Sequence, residues 1–320
     1  MRFQHILFPV DFSVPCRELN RQVEWLAAQF GSRVTLLHVF EIPATWYGGC
    51  ESAFVNAPCF ESIKEDAKQR LREYTIDAPE ERIERVIAEG NPAWHITEWA
   101  TDHDVDLIVM GTHGYGKVRE FLLGSVTSKV LHDVGCPILT DAFANLEGKQ
   151  TADGFTNIVC ALDTSDEAIP LLHFSQQLAS DLGAKVRVVH SVPKMETTPD
   201  KYLDVDFHRY LTESARVEIS RLQRQAGTDF PLTITDERIP TGIAHVAKEW
   251  GADLVIAGRG KYQKAFGRLR THAYDIIREA PCPVLSYAPF QPVRISSSCT
   301  EEHPLHFAKG GQLLTGCATS

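Results

Sequence analysis

The chain repeats itself, and the repeat restricts its fold more than any other feature. Phe3-Gln-His-Ile-Leu-Phe-Pro-Val-Asp11-Phe-Ser13 is matched by Phe155-Thr-Asn-Ile-Val-Cys-Ala-Leu-Asp163-Thr-Ser165, at an offset of 152. The same offset relates Gly31 to Gly183, Val34 to Val186 and His38 to His190. Asp106-Leu-Ile-Val-Met-Gly111 then matches Asp253-Leu-Val-Ile-Ala-Gly258 at 147, and Cys136-Pro-Ile-Leu matches Cys282-Pro-Val-Leu at 146. A shared offset that drifts by so little marks a duplication with small deletions. The unit, roughly 140 residues, is a whole domain and far exceeds solenoid periods. Alternating strand and helix explains recurring apolar runs, but not matched Asp, His, Gly and Cys-Pro at fixed spacing. We therefore expect a domain over 1–142, a polar linker over 143–154, a second domain over 155–290 and an aperiodic, mobile tail over 291–320.

Each copy reads as strand and helix in alternation. Ile6–Val10 is an apolar run that ends in the helix-start signal Asp11-Phe-Ser13. Leu19, Val23, Leu26, Ala27 and Phe30 recur at helical spacing until Gly31 stops them. Val34–Phe40, Ile83–Ala88, Leu107–Met110 and Pro137–Thr140 supply strands two to five. Between them, Phe60 to Tyr74, the segment opened by Asn91-Pro92, and Val126 to Val134 predict helices. Continuous apolar runs suit parallel strands buried on both faces. The expected class is α/β: two tandem doubly wound, Rossmann-like domains, each with a five-stranded parallel sheet. Copy two follows the same order from Ile158 to Tyr287.

Ligands of such sheets bind beyond the carboxyl ends of the strands, where strand order reverses. Asp11, Val39 and the glycine-rich segment Gly111–Ser125 converge there in copy one. Gly111 to Lys117 satisfies the first seven positions of a Walker A loop, but Val118 cannot supply the hydroxyl that would hold Mg²⁺. The dinucleotide glycine fingerprint belongs after strand one, where Asp11-Phe-Ser stands instead. The spacing that fits throughout is G-x2-G-x9-G-[S/T], met by Gly111, Gly114, Gly124 and Ser125. Glycines let backbone approach a phosphate, and the helix opened by Gly124-Ser125 offers free N–H groups and a positive dipole end.

With Ile6-Leu-Phe-Pro-Val-Asp11-Phe-Ser13, Leu37-His38-Val39, Asp106-Leu-Ile-Val-Met-Gly111-Thr-His-Gly114 and Cys136-Pro137, this spacing resembles the universal stress protein family, twice in tandem over nearly all of 1–290. The resemblance implies a cytoplasmic stress-response protein that binds ATP, with Mg²⁺ held through the phosphates. It places Asp11 at the ribose or the metal. It places Pro9, Val10 and Val39 around adenine, and Met110, Gly111, His113, Gly114, Gly124, Ser125 and Val126 along ribose and phosphates. It also implies that the copies pair through their fifth strands, near Ile138 and Val284, as an intramolecular pseudo-dimer, with a homodimer and an unidentified protein partner left open.

Each assignment has a plainer alternative. Asp11 fits a helix N-cap, His113 an exposed loop histidine, the glycines a backbone turn, and Val39 ordinary core. Trp46 and Tyr47 would either lid the pocket or pack against the domain or a partner surface. Copy two has lost the signature: Lys261 replaces the second glycine, Arg270 stands opposite Gly124, and Asp163 remains. ATP is therefore expected in copy one alone. Arg259, Lys261, Lys264, Arg268 and Arg270 form a basic loop, read as a solvated face or as a contact to an anion, a partner's acidic patch or the neighbouring domain.

The formal net charge of −10 argues against nucleic-acid and anionic-membrane binding, and no apolar run approaches a membrane span. Ile6–Val10 is too short for a signal peptide, which leads us to expect the cytoplasm. Eight cysteines without a CxxC read as reduced, unliganded thiols. Three function classes stay open: an ATP-binding regulator, a nucleotide-independent structural adaptor, and a slow ATPase or phosphotransferase with His113 as base and Asp11 as metal ligand.

Overall fold

The structure, a computed structural model, describes residues 3–41, 58–112, 123–141, 154–194, 201–259 and 272–288. The first half runs β1 (His5–Pro9), α1 (Val14–Glu18), α2 (Asn20–Phe30), β2 (Arg33–Phe40), α3 (Pro58–Arg72), β3 (Ile83–Glu89), α4 (Pro92–Asp102), β4 (Leu107–Gly111), α5 (Ser125–Asp133) and β5 (Ile138–Asp141). The second runs β6 (Asn157–Ala161), α6 (Ala168–Leu182), β7 (Lys185–Ser191), α7 (Lys201–Ala226), β8 (Leu232–Thr235), α8 (Ile239–Trp250), β9 (Leu254–Gly258), α9 (His272–Glu279) and β10 (Val284–Tyr287). The helix expected to carry Leu19 through Phe30 is two helices, because Leu19 caps the first and starts the second.

The ten strands among the described residues form one sheet, in the order β3-β2-β1-β4-β5-β10-β9-β6-β7-β8. Within each half the neighbours are parallel. Where the halves meet, β5 and β10 are antiparallel, with Leu139 opposite Leu285. The side-chain period of a strand divides the core between the two faces. Ile6 and Phe8 join Leu19, Leu36 and, from the second half, Ile158 and Leu172 on one face. Leu7 joins Leu37, Ile108, Val130 and, from the second half, Val159 and Ile277 on the other. Both layers thus run across the join, which Trp25 against Phe155 and Gln29 Nε2 donating to the Asp181 carbonyl reinforce.

Strand order reverses in the first half between β1 and β4, which are direct parallel neighbours. Their carboxyl ends, at Pro9 and Gly111, therefore lie side by side on one edge of the sheet. An open α/β sheet holds its ligands at such a point.

Candidate functional site

The edge is built from three strand ends. Val10 is buried after β1, its N–H donating to the Leu37 carbonyl at 2.8 Å. His38 Nδ1 lies 2.7 Å from the Val10 carbonyl, and that contact ties β1 to β2 at the rim. Asp11 is half-buried, and its Oδ1 accepts the Ser13 N–H at 2.9 Å. Ser13 is the residue that caps α1, its Oγ accepting from the Cys16 N–H at 3.2 Å. Asp11 thus stands two residues before the cap of the helix it was expected either to cap or to leave for a ligand. Between them Phe12 is held at φ 62°, in the left-handed region, against the His38 ring and under the Arg70 guanidinium.

The second side of the site is the junction from β4 to α5. Met110 is buried and Gly111 half-buried. The Gly124 N–H donates to the Thr112 carbonyl at 2.7 Å, and Thr127 Oγ1 donates to the Gly111 carbonyl at 2.9 Å. The start of α5 is thereby fastened to the end of β4, with Gly111 and Gly124–Ser125 adjoining. Ser125 is exposed, Val126 half-buried, and no side chain caps the helix. The first amides of a helix have no intrahelical acceptor, so this end presents donors to any anion beside it. Val39, Leu123 and Val126, all partly buried on the same core layer, supply apolar surface nearby.

The structure therefore brings together Pro9, Val10, Asp11, Val39, Met110, Gly111, Gly124, Ser125 and Val126. His113 and Gly114 lie outside the described residues, as do Trp46, Tyr47, the linker before Gly154, the tail and the basic loop beyond Arg259. Among the described residues no group of three His, Cys, Asp or Glu could hold a metal ion. A magnesium carried on phosphates needs only one or two carboxylates; Asp11 is one acid at this edge, and Asp141, opposite Gly111 at the end of β5, is another, accepting from Gln22 Nε2.

Two contributors had no assigned role in the sequence. His38 is marked in sequence by its repeat at His190 and by the Leu37-His38-Val39 run, neither of which gives it a role, and Thr127 by nothing beyond its place in a helix. Burial, above all, lowers the His38 pKa. A carbonyl can only accept, so the neutral ring carries its proton on Nδ1. The second half keeps the same rim: Asp163 Oδ1 accepts from Ser165 N–H at 3.1 Å, and His190 Nδ1 faces the Leu162 carbonyl at 2.8 Å. Beyond β9 it diverges. A methyl placed on Gly258 would come within 3.7 Å of Glu167 Oε2, and Glu167 is itself buried. Arg259 is not on a solvated basic face; it is 6% exposed and bonds to the first half.

The sequence model of the universal stress protein family matches residues 2–140 and again 154–287. Universal stress protein A homolog 1 of Coxiella burnetii is 31% identical over 141 residues, covering 43% of this chain and 96% of that protein. A universal stress protein of Thermus aquaticus is 30% identical over 141 residues, which is 97% of its length. Among solved structures, a universal stress protein from Archaeoglobus fulgidus superposes with a TM-score of 0.61 at 19% identity, over 90% of this chain and 97% of that one. A functionally unknown protein of Pseudomonas aeruginosa gives 0.59 at 15% identity, over 90% of this chain and 93% of its own. These likenesses fix the fold.

Proposed function

The chain belongs to the universal stress protein family, in two tandem copies, and from that premise we propose that it is an ATP-binding regulatory protein whose nucleotide site lies in the N-terminal half alone. The observation that carries this reading is the fastening of Gly124 and Thr127 to the end of β4 at the strand-order switch point. Adenine would lie against Pro9, Val10 and Val39. Ribose and phosphates would follow Met110, Gly111, His113, Gly114, Gly124, Ser125 and Val126. The amides opening α5 would take phosphate oxygens, and Asp11 would ligand magnesium through those phosphates. The second half, with its buried Glu167 and Arg259 where the first has Pro15 and Thr112, would serve as the structural partner in a cytoplasmic stress response. ATP can shift what the protein presents to a partner only by binding its states unequally.

Isothermal titration of the full chain with MgATP tests the reading. We expect saturable binding of one ATP per chain, lost in Gly114→Arg and kept in Asp163→Asn. No heat at millimolar ATP, or binding indifferent to Gly114→Arg, removes it.

A further inference from the structure

Arg259 joins the two halves at the helix that opens the candidate phosphate site. It follows β9 at the repeat position of Thr112, so a small neutral side chain in one half is a guanidinium in the other. Its Nη1 donates to the Leu131 carbonyl at 2.8 Å and its Nη2 to the Cys136 carbonyl at 2.6 Å. Leu131 stands in the last turn of α5, where carbonyls have no intrahelical donor, and Cys136 lies just beyond. Tyr274, at the repeat position of Ser128, donates its hydroxyl to the Ser128 carbonyl at 2.8 Å. The second half thus grips α5 at its middle and at its negative end, while its positive end is fastened beside Gly111 and Thr112. Burial brings the Arg259 pKa down to about 10, so the group stays charged at neutral pH. A buried cation is costly unless it is hydrogen-bonded. Its Nη1 and Nη2 bonds both run to the end of α5 and the turn just beyond it, so what they offset of that cost depends on α5 holding its position.

We infer that Arg259 is a positioning residue for the Gly124–Ser125 helix start: by anchoring the far end of α5, the second half sets how well the first half's site receives phosphate. A nine-residue helix is a rigid rod about 13 Å long, so displacement at one end reaches the other. The effect on affinity rests on the nucleotide reading above. Linkage is reciprocal, so phosphate bound at Ser125 would in turn tighten the Arg259 contact. The degenerate half then has a regulatory use without a nucleotide of its own.

Full-length wild type, Arg259→Met, Arg259→Lys and Tyr274→Phe distinguish the possibilities through amide hydrogen exchange without ligand and MgATP titration. In Arg259→Met we expect the α5 amides to exchange at least about tenfold faster while β1 amides are unchanged, with ATP binding about tenfold weaker. Lysine, which reaches only one carbonyl, should restore part of both; Tyr274→Phe should act in the same direction and more weakly. It carries the test if Arg259→Met does not fold. Unchanged α5 exchange, or faster exchange with unchanged ATP affinity, overturns the inference. A wild type that binds no ATP while α5 still responds to Arg259→Met removes the nucleotide reading and leaves the anchor supported.

Discussion

His38 Nδ1 sits 2.7 Å from the carbonyl oxygen of Val10, and His190 repeats the contact with Leu162 at 2.8 Å. The duplicated imidazole is therefore a bracket between the first two strand ends of each half, set just behind the aspartate that follows. Its chemistry has a consequence in pH. Burial lowers the His38 pKa from 6.5, and burial does the same to His5. Between the lowered folded value and 6.5 the unfolded chain binds more protons, so stability rises with pH in that window and is fully present above it. Urea unfolding should show wild type less stable at pH 5.5 than at pH 7.5. His38→Leu leaves the Val10 carbonyl without its donor and should cost about 1–3 kcal/mol at pH 7.5. It should also flatten the pH dependence. His245, whose pKa its Glu237 hydrogen bond raises, is common to both proteins and cancels. An identical pH slope in His38→Leu and wild type would sink the argument.

Much of the fold was legible because the duplication repeats residues whose roles are local. Asp106 Oδ2 accepts the Gln4 and His5 amides, and Asp253 accepts those of Thr156 and Asn157, so each matched aspartate seals the start of a first strand. Gly31 and Gly183 end matched helices at φ 68° and 67°. Arg259 was legible only as one of several alternatives: the sequence offers the neighbouring domain among the contacts of its basic loop, but which carbonyls it meets depends on where another half's helix happens to end. The position of Asp11 was not legible: it fits a helix N-cap in sequence, yet Ser13 caps α1, and Phe12 between them sits at φ 62°, which no sequence signal marks.

Gly124 separates binding from stability. Its φ of −58° and ψ of 148° are open to any L residue, so the backbone does not require glycine there. Asp is among the best N-caps and suits the positive end of a helix. Gly124→Asp should therefore leave stability unchanged or raise it by a few tenths of a kcal/mol. Its carboxylate would fill and repel the phosphate position, and ATP affinity should fall by more than about tenfold. A variant that unfolds earlier, or binds ATP as wild type does, contradicts this placement of the phosphates.

The buried cysteines should be chemically silent. Burial pushes the Cys16 thiol up to about 11 and those of Cys136, Cys160 and Cys282 to about 12. The thiolate is the reactive form. Brief alkylation at pH 8 followed by peptide mapping should leave these four unmodified in the native protein and label them after denaturation. Rapid native labelling of Cys160, which has no exposed surface, would mean that the central sheet opens far more often than its packing allows.

The antiparallel join predicts what a single half would do. Ile138 and Leu139 are buried on both faces of the sheet, and β5 passes its outer hydrogen bonds to β10. Thr140 Oγ1 to the Val284 carbonyl and Ser286 Oγ to the Ile138 carbonyl, both at 3.2 Å, add side-chain bonds across it. Residues 1–142 made alone would expose that edge with its apolar flanks, and an unpaired edge strand invites another. Because β10 is the repeat of β5, a second β5 can take its place about a two-fold axis. Light scattering of the separate half should give roughly twice its own mass, and adding residues 155–290 should convert it to a one-to-one complex that buries the same edge. A folded half that stays monomeric at tens of micromolar would show that the strand pairing is incidental, and that the helices on either face hold the two copies together.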